Sequence, residues 1–320
     1  MFLAMRGFIT GISGFVGGFL AEHLLNTGDA VLGCSPDGTW EQGCPESLRG
    51  RVELVGWDLA IPDGLGEEAR QRIEQFKPEV LYHLAALSIP EKCGNPAPSA
   101  LASTINVGGT RQVLELAATL PWRPRVLMIS SSHVYAPVTS DAPRVDENAP
   151  LGPTRGYGKT KLAAEAEVRR AVKYNQVDAV VARAFQHTGP RQNPEMMLPQ
   201  WARQFAAGGT EPVEVYTRDA WIDVTDVRDV VRAYRLLMEY GERGEVYNVG
   251  SGMGRSSGQL LDILRRLADP DRPVVELRPG FKQDPIADTT RLVDCTGWRA
   301  EIPVEQTVAD TLAYWRRPGD

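Results

Sequence analysis

Short apolar runs and longer amphipathic stretches take turns along the first part of the chain. Gly7–Phe8–Ile9–Thr10 reads as a buried strand, and residues 15–26 as the helix that follows it. Ala30–Val31–Leu32 is the next strand, closed by the turn residues Ser35, Pro36, Asp37 and Gly38. Residues 52–55 form a third strand, and 67–76 carry helical spacing. Residues 80–83, 126–129 and 179–182 are further strands, with helical periodicity over 100–118 and 157–173 between them. Strands alternating with helices at these lengths require right-handed βαβ crossovers and a parallel sheet. After about residue 183 the regularity weakens. Gly189–Pro190, Asn193–Pro194, Gly208–Gly209 and Asp269–Pro270 cut the chain into shorter elements, as in a smaller lobe packed on the sheet.

The turn between the first strand and the first helix is Thr10–Gly11–Ile12–Ser13–Gly14–Phe15–Val16–Gly17. Its glycines let the backbone turn tightly and approach a pyrophosphate, while the helix N-terminus offers free N–H groups and a positive dipole end. The spacing is GxxGxxG, and its place between a strand and a helix points to dinucleotide binding. Gly11, Ser13, Gly14, Phe15, Val16 and Gly17 are the candidate contacts. The second strand ends in Gly33–Cys34–Ser35, without the carboxylate usual for NAD and without the arginine usual for NADP, so either cofactor, NADP or NAD, is admitted. Asp58, in Trp57–Asp58–Leu59, is placed to accept from an adenine amino group; capping a turn is its other use. The expected fold class is α/β: a doubly wound parallel-sheet Rossmann domain with a smaller interleaved α/β substrate-binding lobe. The boundaries expected are 1–184 for the dinucleotide domain, with a returning segment near 216–249, and 185–320 for the smaller lobe.

Composition narrows the partners. The 320 residues allow one large or two closely packed domains, and 41 acids against 35 Lys plus Arg leave a net charge of −6. That balance argues against nucleic-acid or anionic-membrane binding, which needs a dense basic surface. The apolar runs fall short of the ~20 residues that cross a bilayer. The N-terminus runs straight into a strand pattern, with no cleavable signal design. Cys34, Cys44, Cys93 and Cys295 are scattered, with neither disulfide-framework nor metal-ligand spacing. A cytoplasmic protein of a reducing compartment, with no metal, is expected.

Tyr157 and Lys161 lie at i and i+4, on one face of the helix over 157–173. From there an ammonium can stabilise a phenolate, lower the tyrosine pKa toward working pH and hold a nicotinamide ribose. Ser130–Ser131–Ser132 ends the fifth strand at the carboxyl edge, where ligands sit in open α/β sheets.

The order TGxxGFxG, Ser131, Tyr157-x-x-x-Lys161 resembles the extended short-chain dehydrogenase/reductase family (the NAD-dependent epimerases and dehydratases), which acts mostly on nucleotide-diphosphate sugars. Further matches are His83–Leu84–Ala85–Ala86, Asn106–Val107–Gly108–Gly109–Thr110 and Arg183 with Gly189–Pro190. Residues 223–229 and 246–250 carry the likeness into the second lobe. Phe185–Gln186–His187–Thr188–Gly189–Pro190, Arg278–Pro279 and Thr296–Gly297–Trp298 look most like the GDP-4-keto-6-deoxy-D-mannose reductases and the GDP-mannose 4,6-dehydratases. The resemblance implies that Tyr157 is the acid/base on the sugar's 4-oxygen and that Ser131 hydrogen-bonds the same oxygen. It implies that Lys161 serves phenol and ribose and that Asn106 supports the network from behind. Asp58, Leu59, His83, Ala85 and Ala86 would complete the cofactor contacts, and Ser132, His133, Gln186, His187, Arg191, Arg218 and Arg278 would face the substrate. A homodimer through the helices near 100–118 and 157–173 is also implied.

The chain departs from its relatives in places. Gln186 stands where they often have Asn, Ile222 where they have Arg and Phe281 where they have an acid. An isoleucine cannot replace a bidentate phosphate clamp, and Arg191, Arg218 and Lys282 are the nearest substitutes. Ser132 and His133 stand where dehydratases carry the carboxylate that expels the 6-hydroxyl; His133 is either an acid near neutral pH or a packed imidazole. Of the other histidines, His23 is expected to face outward. The favoured activity is NAD(P)H-dependent reduction of a 4-keto-6-deoxy nucleotide-diphosphate sugar. A 4-epimerase with tightly bound NAD, a 4,6-dehydratase and a non-catalytic dinucleotide sensor are the alternatives.

Overall fold

In the computed structural model, which describes residues 4–40 and 44–317, the alternation becomes a seven-stranded sheet with every neighbouring pair parallel. The chain runs β1 (Arg6–Thr10), α1 (Phe15–Asn26), β2 (Ala30–Ser35), α2 (Glu46–Arg49), β3 (Glu53–Gly56), α3 (Glu67–Phe76) and β4 (Val80–His83). Next come α4 (Ala100–Ser103), a π-helical turn (Thr104–Gly108), α5 (Gly109–Thr119), β5 (Arg125–Ser131), β6 (Arg144–Val145), α6 (Gly156–Tyr174) and β7 (Ala179–Ala184). The second lobe begins with β8 (Gln186–Thr188), α7 (Met197–Ala206), β9 (Val213–Val215) and β10 (Ala220–Asp226). The chain returns through α8 (Val227–Tyr240) to β11 (Val246–Val249). It then runs through β12 (Gly254–Ser256), α9 (Ser257–Ala268), β13 (Val274–Glu276), β14 (Lys282–Gln283), β15 (Ile286–Ala287), α10 (Thr290–Thr296) and α11 (Val304–Trp315).

The sheet order β3-β2-β1-β4-β5-β7-β11 reverses direction between β1 and β4. In doubly wound sheets that reversal opens a crevice at the carboxyl ends of the strands, where ligands bind. Apolar positions at helical spacing decide which helix covers which face. Phe19, Leu20 and Leu24 of α1 pack with Val230, Tyr234 and Leu237 of α8 on one side. Ile73 of α3, Val113 and Leu116 of α5, and Ala164 and Val168 of α6 fill the other. His23, expected to face outward, is half-buried, and burial lowers its pKa.

The strands β2, β5 and β7 run two or three residues beyond the apolar cores that mark them in the sequence. Polar residues continue a strand wherever a neighbour still pairs with them, and Ser130 and Ser131 pair with Arg183 and Ala184. Ser131 is thereby delivered at the sheet's carboxyl edge. The helix expected over 100–118 is interrupted by the π-helical turn, which carries Asn106; such bulges cluster at functional sites.

The second lobe is built around β10, with β8 and β14 parallel to it and β12 antiparallel. Helices α7, α9 and α11 close over it through Leu198, Trp201, Phe205, Leu260, Leu264 and Leu312. Only Phe185 separates β7 of the large sheet from β8 of the small one. Among the described residues no helix is long and apolar enough to cross a membrane, and no group of three or more His, Cys, Asp or Glu side chains is placed to hold a metal ion.

Candidate active site

The glycine turn has a different requirement at each position. Gly11 lies at φ +70, and a Cβ there would fall 2.8 Å from the Ala85 backbone, so both conformation and space demand glycine. A Cβ on Gly17 would overlap the Gly11 carbonyl and the Ile12 backbone, so this glycine sets helix–loop packing. Gly14 has ordinary dihedrals, and its added Cβ would meet nothing nearer than the Gly11 oxygen at 3.3 Å. It gives α1 no side-chain cap, and no acid occupies the first turn. An uncapped helix start beside open space fits an anionic pyrophosphate. Phe15 stacks on His187 with centroids 6.3 Å apart, which closes the turn against the second lobe.

Behind the turn runs a hydrogen-bond chain with a fixed direction. Thr110 Oγ1 donates to the Asn106 carbonyl at 2.7 Å, so it must accept from His83 Nε2 at 3.0 Å. The other ring nitrogen, Nδ1, therefore accepts from Thr10 Oγ1 at 2.8 Å, and Thr10 in turn accepts from the Ala85 N–H at 3.3 Å. Burial holds His83 neutral, with its pKa down at about 3. Both ring nitrogens are committed, so the ring is a strut behind the loop, in keeping with a histidine that positions backbone near the cofactor. Ala85 and Ala86 are half-buried beside it. Asp58 Oδ1 caps its own turn by accepting from Ala60 N at 2.9 Å. The Leu59 side chain is in the core and its carbonyl accepts from Gln112 Nε2 at 3.3 Å.

Ser131, Tyr157 and Lys161 come together at the ends of β5 and α6. Lys161 is buried and donates from Nζ to the Ile129 carbonyl at 2.8 Å, 5.9 Å from the Tyr157 ring centroid. Burial depresses its pKa to about 8. Tyr157 is pushed up to about 12 by burial, with a hydrogen bond to Ser131 pulling the other way. This corrects the expectation of a lowered tyrosine pKa. The Lys161 ammonium is held by a backbone carbonyl, and desolvation dominates at the phenol. Asn106 is 1% exposed; it donates to Leu87 O and to Thr160 Oγ1, both at 3.0 Å, and accepts from Leu87 N at 2.7 Å. Thr160 Oγ1 donates to the Tyr157 carbonyl at 2.8 Å, so Asn106 fixes the start of the helix without entering the cleft.

His133 is exposed, and Ser132 is buried in the turn that carries it. His133 Nδ1 lies 3.1 Å from Ser131 Oγ, its backbone N–H donates to the same oxygen at 3.2 Å, and its ring stands edge-on to Tyr157 at 5.8 Å. Beneath these residues lies an ion pair that pattern reading missed. Glu165 is fully buried, one turn past Lys161, and accepts from Ser130 Oγ at 2.6 Å and from Arg183 Nε and Nη2, each at 2.9 Å. An acid on an otherwise apolar helical stripe between Ala164 and Val168 was the available signal.

From the second lobe, Gln186 donates to Asp284 Oδ2 at 2.9 Å, and Lys282 pairs with the same oxygen at 2.8 Å. Asp284 was also missed. The His187 Nδ1 faces the Phe185 carbonyl at 2.9 Å, so it carries the proton there. Arg191 is not free for a phosphate: it is bidentate to Glu22 at 2.9 and 2.6 Å and lies over Phe19 at 3.8 Å. Its availability as a phosphate clamp is corrected on that ground. Arg218 is exposed and reaches Asp262 at 3.4 Å, while exposed Arg278 rests 5.1 Å over the Tyr216 ring. Ile222 is buried in the second-lobe core.

With this geometry in place, comparisons with known proteins are informative. The NAD dependent epimerase/dehydratase family matches over residues 8–250. The chain is 31% identical to a GDP-6-deoxy-D-mannose reductase of Pseudomonas aeruginosa, with 98% of each chain covered. It is 28% identical to a UDP-glucose 4-epimerase of Mycolicibacterium smegmatis, covering 98% of this chain and 99% of that one. Among solved structures, that of RMD from Pseudomonas aeruginosa complexed with NADPH is similar at a TM-score of 0.81 and 29% identity, covering 98% of this chain and 99% of that one.

Proposed function

The chain belongs to the NAD dependent epimerase/dehydratase family, and on that premise we propose that it uses NADPH or NADH to reduce the 4-keto group of a 6-deoxy nucleotide-diphosphate sugar. The observation that carries the reading is the meeting of Ser131, at the end of β5, with Tyr157 and Lys161 of α6, the ammonium 5.9 Å from the tyrosine ring centroid; burial there keeps the phenol protonated. Reduction of a ketone consumes one hydride and one proton, and such a phenol holds its proton until an alkoxide develops next to it. Elimination of a 6-hydroxyl needs a further acid, and neither Ser132 nor His133 is a carboxylate.

The residues present fit a dinucleotide. Gly11, Ser13, Gly14 and the first N–H groups of α1, from Phe15 to Gly17, would hold the pyrophosphate; Asp58 and the Leu59 backbone would take the adenine end. Ala85, Ala86 and Lys161 would line the nicotinamide ribose. When bound, the nicotinamide supplies the hydride for sugar carbon 4. Tyr157 passes its phenolic proton to the 4-oxygen while Ser131 donates a hydrogen bond to the same atom. The Lys161 ammonium, one helical turn away, steadies the phenolate left behind, and Asn106 keeps Tyr157 in place through Thr160. The carbonyl thus gains one hydride on carbon and one proton on oxygen, and Tyr157 is reprotonated before the next cycle. Gln186, His187, Arg218 and Arg278 are assigned to the sugar and its diphosphate. Residues 1–184 with the segment near 216–249 take the dinucleotide, and 185–320 take the sugar. A homodimer through 100–118 and 157–173, working in the cytoplasm, completes the reading.

The test is a panel of GDP-, UDP- and dTDP-sugars in 4-keto and 4-hydroxy forms, each with NADPH and with NADH, followed by reduced-nicotinamide absorbance. Loss of absorbance with a 4-keto sugar alone is expected. Inversion of a 4-hydroxy sugar without loss of reduced cofactor would replace this reading by the epimerase.

A further inference from the structure

Ser131 Oγ has one proton to give and two lone pairs to fill. The His133 backbone N–H fills one lone pair from 3.2 Å, and His133 Nδ1 stands 3.1 Å from the same oxygen. The direction of that second contact decides what Ser131 can do. If Nδ1 is bare, the serine proton is spent on the imidazole, and the freed lone pair can take the Tyr157 proton as well. If Nδ1 carries hydrogen, both lone pairs are filled by donors. Ser131 then acts purely as a donor, and Tyr157 cannot spend its proton on it. A ketone oxygen receives a hydrogen bond from Ser131 and the proton of Tyr157 together only in the second arrangement.

We propose that His133 is a positioning residue that acts through Ser131: in the working site its Nδ1–H donates to Ser131 Oγ and aims the serine and tyrosine protons at the substrate's 4-oxygen. The proposal deepens the reductase reading and rests on it for the identity of that oxygen. The charged groups facing the ring are Asp284 and Lys282, from β14 and the residues after it, and Arg155 at the start of α6; Tyr157 adjoins it edge-on. The ring is exposed at the cleft surface; partial desolvation by the groups packed around it leads, and the two cations oppose the single carboxylate, so its pKa lies below the ordinary 6.5 and the neutral form prevails at neutral pH. A neutral ring must choose one nitrogen, and donation to Ser131 selects Nδ1. Protonation at lower pH preserves that donor and strengthens it by charge.

The test joins a spectrum to kinetics. The chain has 4 histidines, so nitrogen-15 labelling of histidine gives a small set of ring signals, and the set missing in His133→Asn assigns residue 133. In the NADPH complex the assigned ring should carry its proton on Nδ1; a proton on Nε2 overturns the proposal. His133→Leu should lower kcat by roughly 10- to 100-fold, less than the ~10²–10³-fold of losing an oxyanion donor itself. Its KM and NADPH affinity should stay near wild type. His133→Asn, which keeps an amide donor, should recover most of the rate. Wild-type kcat is expected to show an inflection below pH 6.5, and both variants should lack it. A folded His133→Leu enzyme with wild-type kcat and pH profile overturns the proposal, as does one that loses NADPH binding in proportion to rate. A wild type that reduces no 4-keto sugar but carries the Nδ1 proton defeats the reductase reading and the aim at a 4-oxygen, while the Nδ1–H to Ser131 hydrogen bond is upheld.

Discussion

Replacing Glu165 by leucine removes the only carboxylate that touches Arg183 among the described residues. Arg183 is 3% exposed, and burial works against its charge; the hydrogen bonds and charge of Glu165 more than restore it. The guanidinium does not deprotonate to escape, so the variant must bury an unpaired cation or rearrange. Breaking a buried pair from one side costs about 3–5 kcal/mol. A domain stable by ~5–15 kcal/mol loses a large share of its margin at that cost. Ser130 Oγ also loses its acceptor, one residue from Ser131. The assay is urea unfolding followed by circular dichroism, comparing Glu165→Leu, Arg183→Met and the double variant at equal m. The double variant should cost less than the sum of the singles by about 0.5–3 kcal/mol, because the stranded charge is gone. A Glu165→Leu protein within about 1 kcal/mol of wild type, or singles that simply add, would refute the argument.

Four further outcomes are expected. Tyr157→Phe should lose roughly 10²–10⁴-fold in turnover while dinucleotide titration gives an unchanged affinity. Gly14→Val should keep a wild-type melting curve yet weaken the dinucleotide by about tenfold or more, near 1.4 kcal/mol, whereas Gly17→Ala should cost about 1–3 kcal/mol of fold stability through overpacking. The Lys161 pKa near 8 lies below the ordinary 10.5. Between these pH values the unfolded chain binds the extra proton, so this residue's contribution to stability improves as pH rises through that window. Urea midpoints of wild type minus Lys161→Met should grow in the wild type's favour from pH 8 toward 10.5, and a flat difference would contradict the burial.

Much of the first half was legible because its signals are local. Strand, glycine turn and helix follow one another within residues 6–26, and Tyr157 and Lys161 share a helical face whatever the tertiary fold does. The second lobe was not, since β8, β9, β12 and β13 are three residues each and β14 and β15 two; a period of two cannot be read from so few positions. The site's supports were hidden for another reason. Arg191 meets Glu22 across 169 positions, and Gln186 meets Asp284 across 98. No spacing rule anticipates such pairs, which exist only once the lobes are packed. The raised pKa of Tyr157 belongs to the same class: an i,i+4 lysine predicts a lowered value, and burial reverses it.

The central claim is that hydride moves from nicotinamide to sugar carbon 4 while Tyr157 supplies the proton. It is tested most directly with reduced dinucleotide stereospecifically deuterated at nicotinamide carbon 4, mixed with a 4-keto-6-deoxy nucleotide sugar. The account predicts one deuterium at carbon 4 of the sugar for each oxidised cofactor formed, and almost none with Tyr157→Phe. A product without label, or label retained on the dinucleotide while the sugar's stereochemistry changes, would contradict it.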